Sequence, residues 1–373
     1  VRAIISMAHS LHLNVVADLK KERFLLWLEQ RKANVRALSQ NGNVEQSVKE
    51  LVRLVRAKRA ENASPEVLWS SIPREPSYQL LLRRLSIVMG SYGVFERIRI
   101  ADAEGGVILA ATDNTALGQS VADLKAFQQA VAGAQHEWVD VILEPQTRRP
   151  YMNVATAICD YDLRERGQHK VLAVVIAHID TDEFLKPMLY TGGGVGTTGE
   201  IILVNEDRRI LMSLSHPLAN GNHATKLEHQ IQGKHARLAC MGKEGLISTE
   251  DYRGVSVLAA YRHLPIGPDQ DWGMVVKRDK ADILGPVWET VGTTLAVGTA
   301  GFLISLVVLL VIVNRLARPI RMLSQTAEQA RRGDLSVRAI VGRNDEVGRL
   351  AESFNSMIER IQGWQGVLEA RVR

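Results

Sequence analysis

One uncharged stretch constrains this chain more than any other feature. Residues 290–313 (TVGTTLAVGTAGFLISLVVLLVIV) contain no charged side chain. A helix of about 24 residues is about 36 Å long, which is enough to cross a hydrocarbon core of about 30 Å. The buried helix of a soluble protein rarely runs so far without a polar face. The sequence therefore predicts one membrane-spanning helix, at 288–313.

Arginine residues crowd one end of this stretch. Arg315, Arg318 and Arg321 follow it closely, whereas acidic and basic residues are mixed on the side before it. Because positive charges collect on the cytoplasmic side of membrane helices, we expect a protein of the inner (cell) membrane. Residues before about 288 are predicted to be periplasmic or extracellular and residues after 314 cytoplasmic. A single span has no bundle in which to build a transport path, so the chain either anchors something or passes a signal.

The charge and the cysteines narrow the function further. The net charge of +5 comes largely from the first 60 residues and the juxtamembrane arginines, with no basic run interleaved with aromatics, which argues against a nucleic-acid partner. Cys159 and Cys240 are predicted to be buried free thiols rather than a disulfide. The opening segment resembles neither a signal peptide nor a membrane helix, so we expect that an upstream anchor helix is missing.

The residues after the span predict two short helices. Pro319 suits the first turn of a helix, because its missing N–H has no partner there in any case. Gly333-Asp334 ends that helix, and acidic residues near Asp345 suit the start of the next. The second helix carries apolar residues at alternating steps of three and four, as in a coiled-coil seam: Val347, Leu350, Phe354, Met357, Ile361, Trp364 and Leu368. Two such helices cannot bury two apolar stripes alone, so we expect a parallel four-helix bundle in a homodimer.

This pattern of proline, glycine, acidic and apolar residues resembles the HAMP linker of bacterial receptors. The matching residues are Pro319, the Gly333-Asp334-Leu335 bend, and Asp345-Glu346-Val347-Gly348 followed by Leu350, Phe354, Asn355 and Met357. The resemblance implies a HAMP linker at 314–366 and the start of a coiled-coil stalk at 367–373. It also implies a set of switch residues: Pro319, Gly333, Asp334, Leu335, Glu346, Val347, Leu350, Phe354 and Met357.

The region before the span contains a long helix and a repeated pattern. Residues 1–60 read as a long helix that breaks near Asn41-Gly42. A strand, an acidic turn and a second strand are predicted in Arg97–Thr112 and again in Glu200–Ser215. Further strand-like runs follow each copy, which predicts an α+β fold with two PAS-like modules, each an antiparallel sheet with flanking helices.

The order of these parts resembles the double Cache sensors, which are tandem PAS-like extracellular domains. The matching pieces are the segments that begin at Asp102, Thr198, Tyr252 and Trp272. The resemblance implies a membrane-distal module at 61–185 and a membrane-proximal module at 186–284. It further implies a receptor that binds a small extracellular solute and relays the signal through HAMP to a missing cytoplasmic output domain.

The output that the resemblance favours is a histidine kinase of a two-component system, which would act on a response regulator. The alternatives are a chemoreceptor or a diguanylate cyclase, and a surface-anchored binding protein ranks below both. The LEARVR end of the sequence resembles the stalk that leads into sensor histidine kinases. No phospho-acceptor histidine motif, ATP-binding lid or cyclase motif occurs in the sequence, so no catalytic residue is assigned and no cofactor is expected.

The resemblance also implies a candidate ligand site in the first module. Cache sensors that bind amino acids carry an arginine and aromatic residues in this module, with an acid from its last strand. Arg148 or Arg149, Tyr151 and Asp180 lie at roughly corresponding positions. Arginine would bind a carboxylate bidentately and aspartate would bind an ammonium group. Met152 and Asn153 replace the second aromatic, and the alternative is a solvent-exposed basic loop.

Two other patterns do not support a function. Gly194–Gly199 matches the GxGxxG nucleotide fingerprint, but a strand-like run follows it instead of the helix that must hold a pyrophosphate, so we expect a flexible loop. His9 and His12 lie three residues apart without a third ligand nearby, so no metal site is expected.

Overall fold

The computed structural model describes residues 2–133, 136–144, 148–161, 163, 170–268, 270–340, 342 and 344–372. The chain divides into two compact units, Val1–Gly285 and Pro286–Arg373. Four helices open the first unit: α1 (Arg2–Ser39), α2 (Gly42–Ala60), α3 (Pro65–Ser71) and α4 (Pro76–Tyr92). The break predicted near Asn41-Gly42 is confirmed. The Asn41 side chain accepts from the backbone N–H groups of Asn43 and Val44, which caps α2.

The first module contains a five-stranded antiparallel sheet. Its strands are β1 (Arg97–Asp102), β2 (Ile108–Ala111), β3 (Trp138–Leu143), β4 (Pro150–Cys159) and β5 (Val171–Asp180). Their order across the sheet is β2-β1-β5-β4-β3. Two further helices belong to this module: α5 (Lys125–Ala132) and α6 (Thr181–Tyr190).

The two faces of this sheet have different surroundings, because successive side chains of a strand point to opposite faces. Ile98 and Ile100 of β1 belong to a large core that also contains Phe24 of α1, Leu51 of α2 and Leu81 of α4. We call the face toward these helices the helix face. On the opposite face, which we call the outer face, a smaller core includes Ala101, Ile176, Phe127 of α5 and Trp138.

The second module repeats the plan with four strands. These are β6 (Glu200–Val204), β7 (Gly245–Glu250), β8 (Ser256–Gly267) and β9 (Gln270–Asp279), in the order β6-β9-β8-β7 and all antiparallel. Helix α7 (Lys234–Cys240) packs on β8 and β9. Helix α1 is long enough to contact β4 and β5 of the first module as well as β8 and β9 of the second.

The second strand predicted within Glu200–Ser215 is wrong as a full strand. Only one isolated bridge, between Val204 and Ile210, continues the hairpin. The physical reason is a change of partner: the backbone N–H of Ile210 donates to His229, and Ile231 donates to Arg208. The chain after the turn therefore divides its hydrogen bonds between β6 and the segment around residue 230.

Helix α8 (Lys280–Ile312) follows β9 directly. Within the described part of the chain, one helical run, Thr290–Arg331, contains a segment that is long and apolar enough to cross a membrane. A π-helical turn (Val313–Ala317) comes next, in which the Arg318 N–H donates to Val313 O. Pro319 lacks an N–H and cannot donate the next helical hydrogen bond. The wider π-helical turn lies just before it.

The last part of the second unit contains α9 (Arg318–Arg331) and α10 (Glu346–Val372). Gly333 has a φ of 101°, a left-handed conformation that favours glycine, where α9 ends. We call the chain between α9 and α10 the connector. A pair of hydrogen bonds fastens it to α10: Ala339 N donates to Asn355 Oδ1 at 2.8 Å, and Asn355 Nδ2 donates to Ala339 O at 2.9 Å. Among the α10 residues whose burial the structure describes, Gly348, Ala351 and Ile358 are buried within one chain.

The predicted coiled-coil seam lies on another face of α10. Its residues Leu350, Met357, Ile361 and Trp364 are 56%, 50%, 41% and 77% exposed. The connector thus covers one side of the helix and leaves the apolar seam uncovered in the single chain. This exposure is a reason to keep the prediction of a homodimer.

Candidate ligand-binding site

A cavity of about 370 Å³ opens on the outer face of the first module. Seven charged or aromatic residues of its described lining carry its chemistry: Arg97, Arg99, Asp113, Asp123, Glu144, Tyr151 and His178. Arg97 and Arg99 stand at alternate positions of β1, so both side chains share one face while the isoleucines beside them share the other. The cavity is therefore a direct product of the β1 pattern RIRIAD.

Arg97 occupies the wall between Tyr151 and Glu144. Its Nη1 donates to Glu144 Oε1 at 2.5 Å, and its guanidinium carbon lies 4.5 Å from the centre of the Tyr151 ring. Burial, the largest single influence, lowers the pKa of Arg97, but the hydrogen bond to Glu144 and the charges of Glu144, Tyr151 and Glu96 together outweigh it and raise the pKa. The Nε of Arg97 is buried and has no hydrogen-bond partner among the described residues. One donor of a fixed cation therefore remains available.

Arg99 is held by two hydrogen bonds to a single carboxylate. Its Nη2 donates to Asp113 Oδ2 at 2.6 Å and its Nε to Asp113 Oδ1 at 3.3 Å, which is the forked geometry of an arginine–carboxylate pair. Asp113 therefore neutralises Arg99 in this structure. A ligand carboxylate that approached Arg99 would have to share the guanidinium with this residue.

His178 lies at the centre of the polar end of the sheet. In the strand register it stands opposite Arg97 of β1 and opposite Asn153 of β4. Burial, with a further contribution from Arg99 and Arg97, lowers the pKa of His178 well below its ordinary value, so the imidazole is neutral. His178 Nε2 and Asn153 Oδ1 are buried without a hydrogen-bond partner in the described part of the chain.

Arg97, His178 and Asn153 thus form a row across three adjacent strands, which we call the central row. Each member of the central row has a buried polar atom that nothing described satisfies. Such atoms normally find a partner, because leaving one unpaired costs about 1–3 kcal/mol. Two of the three residues line the cavity. The arrangement can therefore offer donors and an acceptor to a small polar molecule.

The residues predicted from the sequence are distributed differently. Tyr151 lines the cavity and donates its hydroxyl to Glu96 Oε1 at 3.3 Å. Asp180 stands opposite Tyr151 in the strand register, but its carboxylate accepts from Asp182 N at 2.8 Å and Glu183 N at 3.1 Å and so caps α6. Of the four predicted residues, the structure brings these two together.

Arg148 and Arg149 do not belong to the cavity lining. Both side chains are exposed, at the point where the chain enters β4. Arg148 forms an ion pair with Glu228 of the second module. The backbone carbonyl of Arg149 accepts from Glu144 N at 2.9 Å, which fixes the start of the β3–β4 pair.

Arg97, Arg99 and His178 are not among the ligand residues that were predicted from the sequence. The signal for the arginines was present, because two arginines alternate with isoleucines in a predicted strand. For His178 the only signal was a polar residue inside an otherwise apolar strand. That these three side chains meet depends on the pairing of β1 with β5, which the sequence does not show.

The second module carries a buried ionic network at a comparable place. Lys277 is fully buried, and its Nζ lies 2.9 Å from Glu200 Oε2 and in contact with Asp251 Oδ2. The ammonium also lies 3.9 Å from the centre of the Tyr252 ring, whose hydroxyl donates to Glu200 Oε2 at 2.6 Å. Burial, the hydrogen bond to Glu200 and its charge raise the pKa of Tyr252.

His235 of α7 packs near this network. Burial, followed by the charge of Lys277, lowers the pKa of His235 to about 4. A side chain at Gly233 would collide with this ring, because a Cβ there would lie 2.3 Å from His235 Cε1. The site is therefore closely packed as well as charged.

Two further sequence patterns can now be placed. Gly194–Gly199 forms a loop that leads into strand β6, which confirms the interpretation as a loop and leaves no helix N-terminus for a nucleotide. Cys159 and Cys240 form no disulfide with each other, as predicted, but both are half-buried rather than buried.

Comparison with known proteins gives the family. A family model described as Cache domain matches residues 26–287, and a HAMP domain model matches residues 311–363. The first match covers more than half of the chain. This chain belongs to the Cache domain family. The Cache domain, one candidate membrane helix and the HAMP domain follow one another in the order that the sequence predicted.

Several chemoreceptors are similar to parts of this Cache protein. The methyl-accepting chemotaxis protein CtpM of Pseudomonas aeruginosa is 37% identical over 94 residues, which are 24% of this chain and only 17% of that relative. The ligand-binding domain of the Pseudomonas fluorescens chemoreceptor CtaA with L-isoleucine matches at 14% identity and a TM-score of 0.47, over 76% of this chain and 98% of that one. That of P. aeruginosa PctC with GABA matches at 16% identity and a TM-score of 0.46, over 72% and 99%.

The family assignment gives a general function. The chain is a membrane receptor with a Cache sensor domain and a HAMP linker. A Cache domain followed by one membrane helix and a HAMP domain is the order of an inner-membrane protein with a periplasmic sensor domain.

Proposed function

We propose that the cavity of the first module binds a small solute that carries a carboxylate and an ammonium or another polar donor. The observation that carries this proposal is the central row, with its unpartnered atoms on Arg97, His178 and Asn153. A carboxylate can accept from the Arg97 Nε–H and from an N–H of neutral His178. Asp113 and Glu144 on the same cavity wall can accept from an ammonium group.

Tyr151 belongs both to this cavity and to the set of ligand residues that the family resemblance implies. In the proposal its ring forms an apolar wall, and Arg97 stacked upon it is the main carboxylate ligand. Arg148, Arg149 and Asp180 are retained as the alternative set. The two sets differ in one testable point, which is the arginine that binds the ligand.

A thermal-shift screen of the protein against amino acids, carboxylates, amines and purines tests the proposal, followed by three single variants. Arg97→Gln should weaken binding of the best ligand by about 10- to 100-fold, because a hydrogen bond to a charged group contributes about 1.5–3 kcal/mol. Arg148→Gln is the matched control and should bind normally. If Arg149→Ala abolishes the ligand-induced shift while Arg97→Gln keeps it, the alternative set is correct.

The signal is proposed to leave the sensor through the junction of β9 and α8. The strand ends at Asp279 and the helix begins at Lys280, with no loop between them. Asp282 in the first turn of the helix accepts from Arg278 Nε at 2.7 Å and from Thr198 Oγ1 at 3.2 Å. A shift of the second sheet would therefore move the start of the membrane helix.

The HAMP linker is proposed to receive this movement as a homodimer. A ligand that prefers one receptor state by about 100-fold supplies about 2.7 kcal/mol, so the linker must hold two packings of nearly equal free energy. Leu350→Glu or Phe354→Glu would place a charge in the proposed seam and should abolish both a crosslinked dimer and signalling. Ser356→Glu, an exposed position of α10 away from the seam, is the control. Survival of the dimer in both seam variants would contradict the bundle.

The output of the receptor is proposed to lie beyond the HAMP linker. The stalk-like sequence favours a histidine kinase, whereas the similarity to a methyl-accepting chemotaxis protein favours a chemoreceptor. Incubation of the complete receptor with labelled ATP separates these outputs. Phosphorylation of the receptor on histidine would support the kinase, and methylation in cells without such phosphorylation would support the chemoreceptor.

A further inference from the structure

A second cavity lies beside α2 in the first module. It has a volume of about 150 Å³ and shares no lining residue with the ligand cavity. Its walls come from α2 and from the chain near the end of β1 and the start of β5. α2 presents four basic residues to it at helical spacing: Lys49, Arg53, Arg56 and Arg59. Lys170 provides a fifth positive charge from the opposite wall.

The carboxylates near this cavity are already engaged. Asp160 pairs with Lys49 at 2.9 Å, and Glu104 pairs with Arg56. Asp102 accepts from the backbone of its own turn, including Val107 N at 3.3 Å. These three are the acidic residues among the described residues of the lining, so five described basic side chains face three acidic ones.

The remaining basic side chains have no partner among the residues that the structure describes. The side chains of Arg53, Arg59 and Lys170 form no hydrogen bond or ion pair there, although the backbone carbonyl of Lys170 accepts from Asp160 N. Apolar side chains line the space between these charges, among them Val52, Val55 and Leu172. The result is a small concave site with surplus positive charge, and apolar walls strengthen the field of such charges by keeping water away.

We propose that this basic cleft, defined by Arg53, Arg56, Arg59 and Lys170, binds a small dianionic oxyanion of phosphate size. Guanidinium groups match the geometry of phosphate and carboxylate oxygens and bind them bidentately. The volume leaves no space for a nucleotide or a peptide. An anion held between α2 and the start of β5 would stabilise the first module, independently of the solute in the ligand cavity.

Thermal unfolding of the full chain in detergent tests this proposal, with sodium phosphate titrated against sodium chloride at equal ionic strength. Sulfate and succinate are titrated in parallel, to distinguish an inorganic oxyanion from a dicarboxylate. Phosphate and sulfate should raise the unfolding midpoint, whereas chloride should not, and a response to succinate alone would contradict the assignment to an oxyanion of phosphate size. In the double variant Arg53→Gln/Arg59→Gln the apparent affinity should fall by about 10-fold or more, because two charged donors are lost.

Two controls make the outcome specific. Arg74→Gln/Arg83→Gln changes the net charge by the same amount at exposed positions outside the cleft, and it should leave the affinity within about 2-fold, since charge alone acts weakly at a distance. Arg97→Gln should also keep the anion response, because Arg97 lies in the other cavity. An equal loss in both double variants, or no midpoint shift from any of the three anions, would overturn the proposal.

Discussion

In the first module β1 pairs with β5 so that Arg97 lies opposite His178, and in the second module β6 pairs with β9 so that Glu200 lies opposite Lys277. Each pair stands near the start of the first strand and the end of the last strand of its sheet. In the first module this place carries unpartnered polar atoms beside a cavity. In the second module Lys277 fills it and is satisfied by two carboxylates and an aromatic ring.

The difference shows how one sheet plan can serve two roles. A site that leaves polar atoms unpaired favours a molecule that pairs them, at some expense of stability when that molecule is absent. A site whose own lysine completes the hydrogen bonds has no such requirement, and its stability depends on keeping that lysine. We therefore expect the first module to respond to solutes and the second to act as a firm connection to the membrane helix.

The largest expected effect tests this contrast by removing the central polar residue of each module. Lys277→Met leaves Glu200 buried without its cation and leaves Asp251 with Arg253 alone, which should cost about 3–5 kcal/mol of stability. His178→Leu removes an imidazole with an unpartnered nitrogen, and it should change stability by less than about 1 kcal/mol. Thermal or denaturant unfolding of the two variants measures the difference. Similar losses in both would remove the distinction between the modules.

Acid should weaken the second module through His235. The unfolded chain protonates this imidazole near its ordinary pKa of 6.5, whereas the folded protein protonates it only at about 4. Between these values the unfolded state binds more protons, so stability falls as the pH falls, by on the order of 3 kcal/mol in full. His178 acts in the same direction in the first module. The free energy of unfolding, measured at several pH values in this interval, should depend less on pH in His235→Gln than in the unchanged protein. An equal dependence on pH in both proteins would contradict this assignment.

The smallest effect concerns an ion pair that joins the two modules. Arg148 and Glu228 are 63% and 49% exposed, so water screens their attraction. Arg148→Gln should change stability by less than about 0.5 kcal/mol. A loss of more than about 1 kcal/mol would show that the contact between modules carries more of the stability than exposure implies.

Much of the fold was predictable because it depends on local patterns. The break of the long helix at Asn41-Gly42 follows from a capping residue and a glycine. The strand β1, its turn and β2 follow from alternation and from the glycines at 105 and 106. The prediction of a full strand at Ile210 failed because that segment has the composition of a strand but divides its hydrogen bonds between β6 and the segment around residue 230.

The candidate site was predictable only in part. Tyr151 was found through resemblance, and it lines the cavity. Asp180 has the sequence position of a ligand residue, yet its carboxylate caps α6 through Asp182 and Glu183. An aspartate before a helix has both possibilities in any sequence, and the side-chain contacts of the folded protein decide between them.

The sequence by itself determined the membrane helix, the order of the modules and the HAMP linker, because composition, periodicity and turn residues act over a few tens of residues. Only the tertiary structure decided which polar side chains meet. Arg97 stands opposite His178, and Glu200 stands opposite Lys277, in strand pairs whose two strands lie far apart in the sequence. A shift of one residue in either register would turn these side chains to the opposite face, which is why the site depends on the packed sheet.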